Sequence, residues 1–409
     1  KTNMVNTVAH PKLDAKGAPV LGADKTPLMS TNCVIATLTG REAKWDTSAA
    51  DIWIFGFQGG CDYATGCTRI AGYLPEKGGI EVDGMSSIWW GNTQRFRFMN
   101  VFEELDEPGE WCYDRKTKTL VLYPLAGFNA DSLVALGTKK DAFFDIRGDS
   151  IRLEGLTFTA KRGGVCVAIG YGRENEVAGC RFTAVNLGVN LRGHRNGVLS
   201  CDFIGVQGNC ISGRSGKPRN LEYGELYAEN CLCENFGNFR EGFANGAIRM
   251  DGCGNNIRHC DVHGSLEHGI DMYGCNDGVM EYCRIYDVSR EFGDSGAVYM
   301  SGVNSYGAVL RYNDIGSAPG MSNGIYLDDF CSGVTIYGNI VRNVGFFGIF
   351  LGGGRDLTVE NNVVTASWGG LRTDNRGLFW PAWAQKEKCW GSWCDMFGLT
   401  NNSPFAAKH

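Results

Sequence analysis

Apolar residues recur along this chain at a fixed short spacing, an apolar residue followed three positions later by Cys or Asn and two beyond that by another apolar residue. The instances run Val177, Cys180, Phe182; Val198, Cys201, Phe203; Tyr227, Asn230, Leu232; Ile257, Cys260, Val262; Met280, Cys283, Ile285; Leu310, Asn313, Ile315; Ile336, Asn339, Val341; and Val359, Asn362, Val364, spaced 21 to 30 residues apart. A second element accompanies each copy: a glycine followed by apolar residues at alternating positions, as at Gly188-Val189, Gly246-Ala-Ile248, Gly269-Ile270, Gly296-Ala-Val298, Gly324-Ile325, Gly348-Ile349 and Gly370-Leu371. Alternation predicts strands, with one side chain inward and the next outward. Each repeat therefore holds at least two short strands with no amphipathic helix between them, which excludes leucine-rich and helical solenoids. The expected fold is all-β, a right-handed parallel β-helix.

Equivalent residues of successive coils would stack about 4.8 Å apart. That predicts a column shared by Cys180, Cys201, Cys260 and Cys283 with Asn230, Asn313, Asn339 and Asn362, where Asn bonds its stacked neighbour and Cys fills the slot as a small hydrophobe. Metal binding is the lesser reading of the thiols, since Cys231-Leu-Cys233 has no matching partner pair.

The ends lack the repeat. Residues 1–145 are expected to form a small β-rich flanking region, with a strand over Asp51–Phe57 and a hairpin over Gly109–Pro124. The solenoid is placed at 146–375. Residues 376–409 carry Trp380, Trp383, Trp390 and Trp393, which read as a cap over the last coil or as a sugar-stacking platform, the cap being favoured.

Composition then narrows the function. Of 409 residues 58 are Gly, hydrophobic residues make up 43%, charged ones 21%, and the net charge is −6. This is a folded acidic chain without a basic stripe, so no nucleic-acid partner is expected, and no apolar run approaches a membrane span. Seventeen cysteines, an odd number, do not form a complete disulfide framework. Many unpaired thiols mildly favour a cytoplasmic location, with secretion still open.

Outward acids on neighbouring coils are the candidate chemistry. Aligned on the inward residues Ile270, Val298 and Ile325, Glu267 and Asp294 fall one coil apart on the same corner, roughly 5 to 8 Å from each other, with His268 beside them and Asp287 entering the same long turn. Asp271 lies one position after its reference and Asp251 and Asp328 three after theirs, interspersed with Tyr273, Tyr299 and Tyr326. On a straight strand Asp294 and Asp328 would be about 20 Å apart, too far to act on one bond unless the strand bends. Asp328-Asp329 also read as turn-forming acids, and Arg355 as either site lining or a solvated turn.

The stretches Gly293-Asp-Ser-Gly-Ala-Val-Tyr299, Gly324-Ile-Tyr-Leu-Asp-Asp329, Ser332-Gly-Val-Thr-Ile-Tyr-Gly-Asn339 and Gly352-Gly-Gly-Arg-Asp356 resemble the right-handed parallel β-helix glycoside hydrolases, the group containing glycoside hydrolase families 110, 120, 136 and 141. The resemblance implies an oligosaccharide or polysaccharide substrate and two acidic residues from neighbouring turns. Asp294 is then the nucleophile or base and Asp287 the acid, with Asp328 competing for the second role. Glu267, His268, Asp271, Tyr299, Tyr326, Asp329 and Arg355 would bind substrate, with no metal or cofactor. A polysaccharide lyase or epimerase acting on uronates is the alternative; it needs cations. The nearest on the candidate face are Arg249, Arg290 and Arg355, which tilts the reading towards a neutral sugar. A non-catalytic carbohydrate-binding solenoid is the third reading.

Overall fold

The computed structural model describes residues 5–11, 29–36, 40–47, 51–57, 63–74, 79–82, 96–129, 131–132, 137, 141–238, 246–302, 305–318, 320–365, 368–376 and 407–408. Contacts divide the chain into two compact units, residues 1–134 with 241–243, and residues 135–240 with 244–409. The four tail tryptophans lie outside the described residues.

In the first unit six strands form one sheet, in the spatial order Val5–Pro11, Met29–Ala36, Gly79–Val82, Thr65–Leu74, Trp53–Phe57, Phe96–Met99, paired antiparallel throughout. Ile52, Ile54, Ile70, Ile80 and Val82 form its core with Trp45. The expected hairpin is present as Trp111–Asp114 paired with Thr119–Leu122. Asp114 closes its turn by accepting hydrogen bonds from the Lys116 N–H and the Thr117 hydroxyl.

The second unit is a parallel β-solenoid of three sheets, two of nine strands and one of eleven. A typical coil contributes one strand to each sheet, one coil gives the long sheet two short strands, Ile270–Asp271 and Cys275–Asn276, and the last strand, Gly369–Asp374, joins the long sheet alone; the pairing between coils is parallel. The reason lies in the inward column. Ile211, Ile248, Ile270, Val298, Ile325 and Ile349 pair coil to coil and are buried, and a one-residue slip would turn each of them out to solvent. In an early part of the solenoid the inward column of another sheet is aromatic: Phe182 stacks between Phe158 and Phe203 at centroid distances of 4.7 and 4.5 Å. Glycine ahead of an inward residue is a matter of space, since a Cβ on Gly269 would sit 2.5 Å from Ile285 and 2.6 Å from the Ala297 oxygen. The strand Phe144–Ile146 pairs in parallel with Val165–Ile169, and Gly137 forms a parallel bridge with Lys161.

Between the two shorter sheets the chain turns through a left-handed residue and then enters the polar column. The left-handed residues are Gly179, Ser200, Asn230, His259, Tyr282, Tyr312, Gly338 and Asn361. The column behind them is Cys180, Cys201, Cys231, Cys260, Cys283, Asn313, Asn339 and Asn362, and this corrects the sequence reading: Cys231, not Asn230, holds the inward slot. Asn230 is exposed at φ 55° and bonds the Ser200 hydroxyl, a conformation that Asn accepts readily. Thiol and amide do equivalent work in the slot. Cys201 Sγ accepts from the Cys180 N–H at 3.3 Å. Asn339 accepts from the Asn313 N–H and donates to the Leu310 carbonyl and the Asn362 side chain. The described cysteines are free thiols, and burial pushes the Cys166 and Cys275 thiols up to about 12, so they serve as small core residues.

Asn339→Ala should therefore lower unfolding free energy by about 2–4 kcal/mol in urea, because it leaves buried donors and acceptors without partners. Asn339→Cys, restoring the residue that fills this slot in earlier coils, should cost clearly less; equal losses would show that the two residue types are not interchangeable there.

Candidate functional site

The long sheet presents two outward columns. Register places Asn190, Ser212, Arg249, Asp271, Tyr299, Tyr326, Phe350 and Arg372 in one. Two positions further along are Arg214, Asp251, Ser301, Asp328, Gly352 and Asp374, with Tyr273 in a turn where the register shifts by one residue. Outward residues of a sheet are normally wet, yet Asp271, Tyr299, Tyr326 and Asp328 are at most 6% exposed. Charges here are consequently held in low dielectric, where partners matter more.

Those partners form one network. Asp328 ion-pairs with Arg376 and accepts the Tyr299 hydroxyl at 2.8 Å. Arg376 also reaches Asp374 at 2.9 Å and Asp329 at 3.4 Å, and donates to the Tyr326 hydroxyl at 3.4 Å. That hydroxyl in turn donates to Asp294 Oδ1 at 3.0 Å. Burial, then the Asp328 charge, raise both Tyr299 and Tyr326, so both phenols stay protonated as donors. Burial would lower Arg376, but Asp374, Tyr326 and Asp328 more than offset it. The ring of Tyr326 stacks on Phe350 at 4.8 Å, and Tyr299 meets it edge-on at 5.5 Å, which fixes where both hydroxyls point.

A second arm runs from Tyr299 to the preceding coil. His268 is buried and stacks on Tyr299 at 4.2 Å. Its Nδ1 accepts from the Gly296 N–H at 3.3 Å and lies 2.9 Å from the Ser295 hydroxyl, so Nε2 carries the proton in the neutral ring. Nε2 lies 3.8 Å from Glu267 Oε1. Burial pushes His268 down to about 3. Asp271 is fully buried, and neither of its oxygens has a hydrogen bond of good geometry among the described residues. Burial raises it to about 8, and Arg249 at 3.8 Å only partly opposes that.

The structure brings together Asp294, Asp328, Asp329, Tyr299 and Tyr326, and sets His268 against Tyr299, with Glu267 and Asp271 on that preceding coil. The expected 20 Å separation of Asp294 and Asp328 does not occur: they are linked through one phenol and one guanidinium. Counting strand positions missed that Asp294 sits in a bend ahead of Gly296–Ser301 and that Tyr326 reaches across to it. Asp287 stays outside this network. Arg290 grips it through Nε at 2.8 Å and through Nη2, and that hydrogen-bonded pairing lowers it. Arg355 is a surface residue that bonds its neighbour Asp356 at 3.1 Å.

Sequence reasoning missed Arg376 and Asp374, which fall at the edge of the repeat. It also undercounted cations. Arg290 and Arg355 are engaged elsewhere, while Arg214, Arg249 and Arg372 stand in the outward columns and Arg192 follows the strand that carries Asn190. The signal was present: Arg192 and Arg214 occupy the same offset from Val189 and Ile211 that Asp328 occupies from Ile325. Among the described residues no group of three or more His, Cys, Asp or Glu side chains is arranged to hold a metal ion.

Residues 163–317 and 237–378 each match the family described as the right-handed β-helix region, together more than half of the 409 residues. The chain belongs to the right-handed β-helix family. No curated protein matches its sequence. Among solved structures, a glycoside hydrolase aligns at 15% identity and TM-score 0.57, over 95% of this chain and 79% of that one. The A-module of an Azotobacter vinelandii mannuronan C-5 epimerase aligns at 9% identity and TM-score 0.35, over 56% and 82%. An alginate lyase from Paenibacillus sp. aligns at 10% identity and TM-score 0.34, over 56% and 91%. At 15% identity the likeness to the glycoside hydrolase is one of fold.

The two shifted groups act on stability in opposite directions. Folded Asp271 keeps its proton to about pH 8, whereas an exposed Asp loses it near pH ~4. The folded chain thus binds more protons over that interval, and stability falls as pH rises through it. Folded His268 stays neutral down to about pH 3, whereas an exposed His gains its proton near pH ~6.5, so its contribution falls as pH drops. Asp271→Asn should abolish the alkaline-going decline while leaving the acid-side one, measured by urea unfolding across pH. An unchanged profile would show that Asp271 ionises normally in the folded chain.

Proposed function

We propose that this protein is a glycoside hydrolase that cleaves an oligo- or polysaccharide with Asp294 and Asp328 as its carboxylate pair. The observation that carries the reading is the shared network: two acids contributed by neighbouring coils, joined through Tyr326 and Arg376 on one face of the sheet. Glycoside hydrolysis needs one carboxyl group to give a proton to the departing glycosidic oxygen. The other, as carboxylate, either draws a proton from the water that adds at the anomeric carbon or attacks that carbon first. Arg376 and the Tyr299 hydroxyl favour Asp328 as the carboxylate, leaving proton donation to Asp294. This exchanges the roles read from the sequence, because the cation that decides between them follows the repeat. Asp287, clasped by Arg290, holds the long turn in shape. The glycoside hydrolase that shares the fold is consistent with this reading.

A second reading, abstraction of the proton beside a uronate carboxylate by a lyase or epimerase, is favoured by the arginines of the outward columns, which would neutralise that carboxylate. A product with a new double bond, absorbing in the ultraviolet, would decide for the lyase; hydrolysis releases reducing ends without it.

On a panel of aryl glycosides and oligosaccharides, Asp294→Asn and Asp328→Asn should each lower kcat/KM by roughly 10²–10⁴-fold. Asp287→Asn should stay within a few-fold of wild type. Retained activity in both of the first two variants would remove this pair from the mechanism.

A further inference from the structure

Upstream of the acid network the same sheet face changes sign. Arg214 pairs in register with Asp251. Continuing the register of Leu191 with Gly213 sets Arg192 beside Arg214 one coil away, about 4.8 Å along the stack. Arg192 Nη1 donates to the Arg214 carbonyl at 3.4 Å. Neither guanidinium has a carboxylate within ion-pairing distance among the described residues. Both act electrostatically on Asp251, whose Oδ1 and Oδ2 each already accept from Arg249 Nε at 3.2 Å. Several outward arginines of this solenoid do take acids: Arg258 and Arg311 both take Glu281, and Arg342 takes Asp314, while Arg372 lies over the Phe347 and Phe350 rings. Like charges on adjacent strands destabilise a sheet. A protein of net charge −6 nevertheless keeps two cations stacked without an acid between them. Arg214 is exposed and Arg192 half-buried, so both are open to a ligand.

We infer that Arg192 and Arg214, continued by Arg249, form an anion subsite that recognises an acidic group on a sugar of the bound glycan. This rests on the glycan reading above and sharpens it to acidic glycans. A guanidinium presents paired N–H donors whose geometry fits a carboxylate or a sulfate ester equally well. The outward column leads from this subsite past Asp251 and Ser301 to Asp328, so an acidic residue held here would place a neighbouring part of the glycan towards the carboxylate pair.

Binding, not turnover, is the test. Isothermal titration of the full chain carrying Asp328→Asn, which preserves the ligand, would use an oligogalacturonate, a sulfated galactan oligosaccharide and a neutral xylo-oligosaccharide of equal length. Either acidic ligand should bind more tightly than the neutral one, with affinity falling as salt rises, and the better binder identifies carboxylate or sulfate as the group read. Adding Arg192→Gln and Arg214→Gln should weaken that ligand roughly tenfold or more without moving the neutral one, and Arg192→Lys with Arg214→Lys should recover part of the loss. Because both side chains point outward, the melting temperature should stay close to that of the parent. If acidic ligands bind no better than neutral ones, or the double glutamine variant binds them unchanged, the subsite does not exist. Hydrolysis of neutral glycosides would then still stand on Asp294 and Asp328, whereas intact anion binding without hydrolysis would overturn the catalytic reading alone.

Discussion

In-register parallel pairing between coils is the constraint from which everything else in the solenoid follows. Once a strand residue pairs with the residue at the same offset one coil on, each position inherits its environment from the column it joins. The turn between the two shorter sheets keeps that register. A left-handed residue costs energy in most side chains, and here that conformation recurs as Gly179, Ser200, Asn230, His259, Tyr282 and Tyr312, each followed by an inward Cys or Asn. Each buried slot answers the backbone of its neighbour, as Cys201 Sγ does for the Cys180 N–H and Asn362 Oδ1 for the Asn339 N–H. A coil that shifted by one residue would lose its hydrophobic column and its polar column together.

The same constraint builds the outward face, with a different result. Columns on the long sheet carry residues that are neither interchangeable nor repetitive: arginines, then acids, then tyrosines and phenylalanine. Packing His268, Tyr299, Tyr326 and Phe350 ring on ring removes water from that region. The acids among them therefore depend on specific donors, since bulk screening is reduced. Asp328 has a guanidinium and a phenol, Asp294 a phenol, and Asp271 a guanidinium beyond hydrogen-bond distance. Chemically similar side chains are thus given different partners by what each column places beside them.

Much of this was legible in the sequence because offset within a repeat is a coordinate. Ile270, Val298 and Ile325 as inward references, the strand alternation and the Cys/Asn column follow from spacing alone. Where a repeat was read one residue out, at Asn230, the error came from taking Asn for an inward residue when its preference for left-handed turns was the stronger fact. Asp287 and Asp294 looked equivalent as acids on one long turn. What separates them is a local clasp by Arg290 in one case and a phenol from the next coil in the other. Such long-range side-chain reach has no periodic signature, and Arg376, which organises the network, lies where the period ends.

Because inward and outward columns alternate along each strand, the chemistry of the face is separable from the stability of the core. Val189 and Ile211 hold the solenoid together, while Arg192 and Arg214, three residues further on, add nothing to that packing and oppose each other in charge. In an ordinary core a strained pair of this kind would be removed by any neutral substitution. On a solenoid face the exchange of either arginine leaves the inward ladder intact. A like-charged pair set side by side at such a position is accounted for by a ligand rather than by the fold. The strained backbone of the turns, by contrast, needs no ligand to explain it, because the columns behind the turns already offset it.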